Sequence, residues 1–266
     1  MSDTMNSALS SVLAAEWLKL KSVRSTVTAL ACGAAMVVVA GVYAYYAGSA
    51  WDARDAVARA DMMVTPPERG FLPLLQISLA VLGVLAISGE YATGMIRTSL
   101  TVVPGRGALL AAKAAVVSAV TLAAGCAVML ATYAVTRVVL GDRPMGFNGG
   151  SLLDDLPLLL ASGLSVTVLA LVGLGFATVS RSTVGGLAAV IGVLFVLPGF
   201  ASFLPAPWGE RFMYLMPMTL VPQIAGEPIA PIVAGGLPPA VALAALLAYA
   251  AVALGAGYLA ITRRDA

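Results

Sequence analysis

The sequence predicts an all-α integral membrane protein of six transmembrane helices, with an amphipathic N-terminal helix at the interface and a short cytoplasmic helix between spans two and three. Three observations lead there. Of 266 residues 60% are hydrophobic and the mean hydropathy is +0.97, whereas an ordinary soluble domain is roughly 45–50% apolar. The apolar residues come in runs of about 20, the length a helix needs to cross a bilayer core. Charged residues, only 11% of the chain, gather between these runs.

Taken in order, residues 7–24 place Leu9, Val12, Leu13, Trp17 and Leu20 at spacings of three and four, with Glu16, Lys19 and Lys21 largely around the other side. This suits a helix lying in the interface plane, with Trp17 at headgroup depth and the lysines reaching lipid phosphates. A solvated extension of the first span is the other reading. The early charges and the lack of a small-residue cleavage site argue against a cleavable signal peptide.

Six spans follow at 27–48, 71–88, 110–136, 156–179, 184–204 and 240–261, forming one membrane domain over 1–266. The third sits in an apolar run longer than a bilayer requires, so it is expected to begin with a cytoplasmic turn or to tilt. Only 180–183 separate the fourth and fifth, which makes them antiparallel neighbours. Segment 205–239 is too apolar for a free loop, and Pro217, Pro222, Pro228 and Pro231 prevent a single span. Short re-entrant helical pieces fit it, as does an outer loop lying on the bilayer surface.

Both termini are expected on the cytoplasmic side of the cell membrane. That orientation puts nine basic residues inside, including every lysine, and six outside. Nine of the thirteen acidic residues then fall outside.

Several function classes are disfavoured. There is no histidine to act as general base or metal ligand. Cys32 and Cys126 fall inside apolar runs, where a small buried side chain is the ordinary explanation. No phosphate-binding P-loop, HExxH, CxxC or GxSxG occurs, so the chain is not expected to hydrolyse ATP alone or to bind a cofactor or metal. A net charge of +2 does not suggest nucleic acid. Charge within the spans is nearly absent, which speaks against an ion-coupled carrier; Arg137, the nearest case, lies close enough to a span end to snorkel outward. Small residues such as Gly173, Gly175, Ala177, Gly185, Gly186, Ala189, Gly255 and Gly257 are read as close helix contacts.

The stretch 89–113, GEYATGMIRTSLTVVPGRGALLAAK, concentrates Glu90, Arg97, Arg106 and Lys113 between two apolar runs. Residues 91–100 can form a short helix with Ile96 and Leu100 on one side, before Pro104 and Gly105 break it. An exposed helix of this kind suits docking; a solvated turn with scattered charges is the plainer reading.

The EWLKLKSVRST segment before span one, the GEYATGMIRTSL…PGRGALLAAK loop, six spans and a proline-rich outer segment resemble the permease subunits of type-2 ABC transporters. The specific likeness is confined to those two stretches; the layout extends over the whole chain. The resemblance implies that residues 7–24 are a connector helix and that the 89–113 loop holds a coupling helix, both contacting a separate ATP-binding subunit. By position, Glu16, Trp17 and Lys19 match the connector, and Glu90, Tyr91, Gly94, Arg97, Pro104, Arg106 and Lys113 match the coupling loop. It further implies a second permease chain, identical or paralogous, and export by alternating access, with ATP and magnesium bound by the partner rather than here. Glu90→Ala or Arg97→Ala is then expected to weaken coupling to ATP hydrolysis without preventing membrane insertion. The other readings are a channel or secondary transporter without an ATPase, and a non-transporting anchor or immunity protein.

Overall fold

The computed structural model describes residues 2–102, 105–229 and 235–263, and among these there is no strand. Helix α1 (Ser2–Ser22) is followed after the extended residue Val23 by α2 (Arg24–Asp52). Two short helices, α3 (Ala56–Ala60) and α4 (Pro67–Gly70), lead into α5 (Leu72–Thr93). Next come α6 (Met95–Val102), α7 (Arg106–Leu140) and α8 (Leu152–Ser180). The fifth span combines α9 (Thr183–Ile191), a π-helical turn (Gly192–Val196) and α10 (Leu197–Ala201). Helices α11 (Trp208–Tyr214) and α12 (Pro217–Ile224) precede the last span, α13 (Pro239–Arg263).

Six of these elements are long and apolar enough to cross a membrane. They are not equivalent. In α8, 83% of the apolar window is buried inside the protein, against 56% in α5 and 22% to 28% in the other four. Helix α8 is therefore the central post, packed against α5, α7, α13 and α9. Its start is fixed by a capping box in which the Ser151 hydroxyl accepts from the Asp154 amide while the Asp154 carboxylate accepts from the Ser151 amide.

Close backbone approach holds the post in place. A Cβ added at Gly83 of α5 would lie 1.9 Å from the Ala170 carbonyl oxygen of α8, and one at Gly175 of α8 would lie 2.3 Å from the Ala253 oxygen of α13. In lipid, where hydrophobicity cannot drive helices together, such contacts supply the association. Of the small residues singled out in the sequence, Gly173, Gly175, Gly186 and Gly257 make tight contacts, whereas a Cβ at Gly255 would meet nothing within 4 Å. Gly83 of α5, against Ala170 of α8, and Gly163 of α8, where an added Cβ would lie 2.5 Å from the Cys126 sulfur of α7, are further tight contacts.

The π turn in the fifth span sits just ahead of Pro198. Proline has no amide hydrogen and its ring crowds the carbonyl four residues earlier, which favours a widened turn there. Among the described residues of segment 205–239 are the helices α11 and α12; α12 packs on α8 and α13 and buries Pro217, Thr219, Leu220, Val221 and Gln223. Pro231 lies outside the described residues.

Helix α7 has 35 residues, about 52 Å at 1.5 Å per residue, well beyond the roughly 30 Å of a hydrocarbon core. Its first two turns lie at the end of the bundle where α1 and α6 pack against it. At that end Arg106 donates to the Ile261 carbonyl of α13 at 2.9 Å, so the two chain ends share one side. At the other end ion pairs join neighbouring elements: Arg137 of α7 with Asp155 of α8 at 2.6 Å, Arg143 with Asp52 of α2 at 2.7 Å, and Arg69 of α4 with Glu227. Arg137 also donates to Asn148 at 2.9 Å and stacks on Tyr133, so it is held by partners rather than snorkelling free.

Candidate functional site

Helix α5 runs three residues past Glu90 before Gly94, in the left-handed region at φ 70°, turns the chain into α6. Glycine adopts that conformation without steric penalty. Helix α6 is anchored by Ile96, which is buried in a cluster with Ile87, Leu109, Leu110 and Leu174. Met95, Thr98 and Thr101, at spacings of three along the helix, are exposed.

Beneath α6 lies a four-charge cluster. The Lys113 ammonium donates to Glu16 Oε2 at 2.7 Å, to Glu90 Oε1 at 2.7 Å and to the Ala86 carbonyl at 3.0 Å, which uses all three of its protons. Lys19 donates to Glu16 Oε1 and to Glu90 Oε1, both at 2.8 Å, and lies 3.4 Å from the Ser99 hydroxyl of α6. Two carboxylates thus face two ammonium groups, a balanced set. Glu16, Glu90 and Lys113 are 6%, 6% and 2% exposed. Every Glu16 oxygen has a donor, but Glu90 Oε2 is buried with no hydrogen-bond partner.

The cluster ties three elements together: α1 through Glu16 and Lys19, α5 through Glu90, α7 through Lys113. Such buried pairs are favourable only when the remaining lone pairs and protons are also satisfied, which the extra bond to Ala86 helps achieve. Burial alone would lower the pKa of Lys19; its hydrogen bonds to the Glu16 and Glu90 carboxylates outweigh that and leave it raised above the usual 10.5. The stabilisation it gives is complete below that ordinary value and is lost only as the pH rises through the raised one.

This geometry corrects the expected faces of α1. Val12, Leu13, Glu16, Lys19 and Leu20 turn inward, while Trp17 is 48% exposed on the outside. Glu16 and Lys19 can face inward because opposite charges from α5 and α7 meet them there. Glu90 and Lys113 likewise are interior groups rather than part of an exposed contact surface, so Glu90→Ala removes a buried charge as well as any effect on docking. The interface-plane reading of α1 concerned its apolar stripe; the inward stripe is mixed.

The other matched residues are placed as follows. Tyr91 is half-buried, with the Arg181 guanidinium 5.6 Å over its ring. Gly94 ends α5, and Arg106 begins α7 and tethers α13. Arg97 lies on α6, though its side chain is outside the described residues, as is Pro104. A groove of about 420 Å³ runs between α1 and α6, lined by Val12, Ala15, Met95, Thr98 and Leu109 among others.

Sequence reasoning notes Gln76 as a polar group within a span but finds neither its partner nor the burial of Glu68. Gln76 donates to the Ser165 hydroxyl at 2.9 Å between α5 and α8; a lone glutamine in an apolar run was the available signal. Glu68, 7% exposed, lies in α4 beside Arg137 and Asp155, and burial raises its pKa. Nothing local to Glu68 distinguishes it from a loop residue. Among the described residues no group of acidic, cysteine or histidine side chains is arranged to hold a metal ion.

Residues 12–199 match the family described as ABC-2 family transporter protein. No curated protein matches the chain.

Proposed function

The chain belongs to the ABC-2 family of transporter proteins and is a membrane permease, and from that premise we propose that it is the spanning subunit of an ATP-driven exporter. In this reading a separate ATP-binding subunit, carrying ATP and magnesium, docks on α6 and on the neighbouring face of α1. The observation that carries it is the mechanical arrangement under α6: an outward face of Met95, Thr98 and Thr101, an inward anchor at Ile96, and an ionic cluster joining α1, α5 and α7.

Movement of α6 by a partner would reach the core along short paths. Gly94 connects α6 directly to α5, and α5 packs on the central α8. Lys19 spans from α1 to Ser99 of α6 and to Glu90. Because the cluster is balanced and buried, its members are favoured to move together, since separation would leave an unpaired buried charge. Alternating access in a pair of permeases, identical or paralogous, follows as the mechanism. Export is the direction that the resemblance to type-2 permeases supports, and the distribution of basic residues supports cytoplasmic termini.

The test is affinity purification from native membranes in mild detergent. A near-stoichiometric companion containing a P-loop is the expected result, and Thr98→Trp or Thr101→Trp should reduce its recovery while the permease still inserts. Recovery of the permease alone, even after crosslinking, would refute this assignment in favour of a channel or secondary transporter.

A further inference from the structure

At the end of the bundle opposite α1 and α6, a pocket of about 250 Å³ lies between α4, the end of α7 and the start of α8. Pro66, Phe147, Leu158 and Leu159 give it an apolar side, and Glu68, Arg137 and Asp155 give it a polar one. Of the polar groups, Glu68 is the one short of partners. It is 7% exposed, and the groups nearest its carboxylate, its own amide and the Thr136 hydroxyl, are not aligned to donate well: Thr136 Oγ1 is buried with no hydrogen-bond partner. Arg137 attracts Glu68 across space but spends its hydrogen bonds on Asn148 at 2.9 Å and Asp155 at 2.6 Å. Among the described residues the fully enclosed polar atoms without a partner are Glu90 Oε2 and Thr136 Oγ1. The Glu68 oxygens are not sealed in that way and open on the pocket that Glu68 lines.

The charges around the pocket do not balance. Arg69 borders it, but its guanidinium pairs with Glu227 and is 44% exposed. What remains is two carboxylates, Glu68 and Asp155, against the single guanidinium of Arg137, so the pocket is one positive charge short. A carboxylate so placed is unfavourable until a cation meets it. Water would solvate the Glu68 oxygens and leave that charge uncompensated. A bare metal ion requires several oxygen ligands, and no metal-holding group of side chains exists among the described residues. An ammonium group supplies the charge and donates charge-assisted hydrogen bonds, while the apolar side suits an organic body attached to it.

We propose that this pocket binds a small amphipathic molecule carrying one primary ammonium group. The ammonium lies between Glu68 and Asp155 and donates to both carboxylates, and the apolar body rests against Phe147 and Leu158. A ligand seated there bridges α4, α7 and α8, and Glu68 is the residue that recognises it. The site needs no ATP-binding partner, so its failure and failure of the exporter assignment are separable.

The experiment is isothermal titration calorimetry of the purified full chain in detergent near neutral pH, with phenethylamine and 2-phenylethanol as probes against a detergent blank. The two probes share a body and differ in the head, and only the amine is cationic. Wild type should bind one phenethylamine at least about tenfold more tightly than the alcohol, equivalent to 1.4 kcal/mol. Glu68→Gln keeps the side-chain shape without the charge and should abolish the preference; Asp155→Asn, which removes the other carboxylate, should do the same and serves if the first fails to fold. Asp142→Asn removes an exposed charge from the segment between α7 and α8, outside the pocket, and should keep the preference. Equal affinity of wild type for the two probes, no binding of the amine, an undiminished preference in a folded Glu68→Gln or Asp155→Asn variant, or an equal loss in Asp142→Asn would overturn the proposal.

Discussion

Replacing Lys113 with methionine keeps an unbranched side chain of similar length and removes one charge from the interior. Lys113 is 2% exposed and makes three hydrogen bonds, two of them to carboxylates. A hydrogen bond to a charged group contributes about 1.5–3 kcal/mol, but these are not additive, because Lys19 still serves both Glu16 and Glu90. What remains is two buried carboxylates sharing one ammonium that is itself 36% exposed. Removing one partner of a buried pair costs about 3–5 kcal/mol, and the lower half of that range is expected here because Lys19 compensates in part. At about 2–4 °C per kcal/mol for a chain of this size, the melting temperature should fall on the order of 10 °C. Thermal unfolding in detergent, followed by intrinsic tryptophan fluorescence, measures it. Lys113→Met with Glu90→Leu restores balance by leaving Glu16 with Lys19, and should recover more than half of the loss, a coupling that a double-mutant cycle isolates. A single variant as stable as wild type, or a double variant less stable than the single, would refute the view that these charges act as one unit.

Two further substitutions probe the rest of the fold. Burial, the largest influence on Glu68, raises its pKa, with Arg137 opposing and Asp155 reinforcing the shift; folding stability is then lost as the pH rises from about the ordinary 4.5 through the raised value. Glu68→Gln should match wild type at low pH and be more stable near neutrality, and a stability difference that stays constant between pH 4 and pH 8 would contradict this. Gly83→Ala places a methyl group 1.9 Å from the Ala170 oxygen, so a loss of about 3 kcal/mol or more, at or above the top of the usual overpacking range, is expected. Gly255→Ala meets nothing within 4 Å and should be neutral or stabilising by up to about 1 kcal/mol, from helix propensity alone. Detergent-dependent melting compares the pair, and similar effects at both sites would show that the α5–α8 contact is not the constraint described.

The two charged stretches illustrate how far local pattern reaches. The existence of α6 and its anchor at Ile96 follow from a short periodic segment between Gly94 and Gly105, and the structure has that helix. The faces of α1 do not follow. Helical periodicity sorts residues by hydropathy, and on that rule Glu16 and Lys19 belong on the outer, polar side. The rule fails because Lys113 is 97 residues from Glu16, and Glu90 is 71 residues from Lys19. No window along the chain contains both members of either pair. Gly83 was likewise unremarkable in an apolar run until the Ala170 backbone was found against it.

The sequence alone determined that this chain is an all-helical membrane protein with six spans, because the need to satisfy every backbone polar group in lipid leaves long apolar helices as the solution. It also carried the resemblance that the family match supports. Tertiary structure decided which helix is central, which charges are interior and which surface of α6 remains available to a partner. Those properties depend on pairs of residues far apart in the chain, whose energies are set by burial and by distance in space, and neither is a property of a local run of residues.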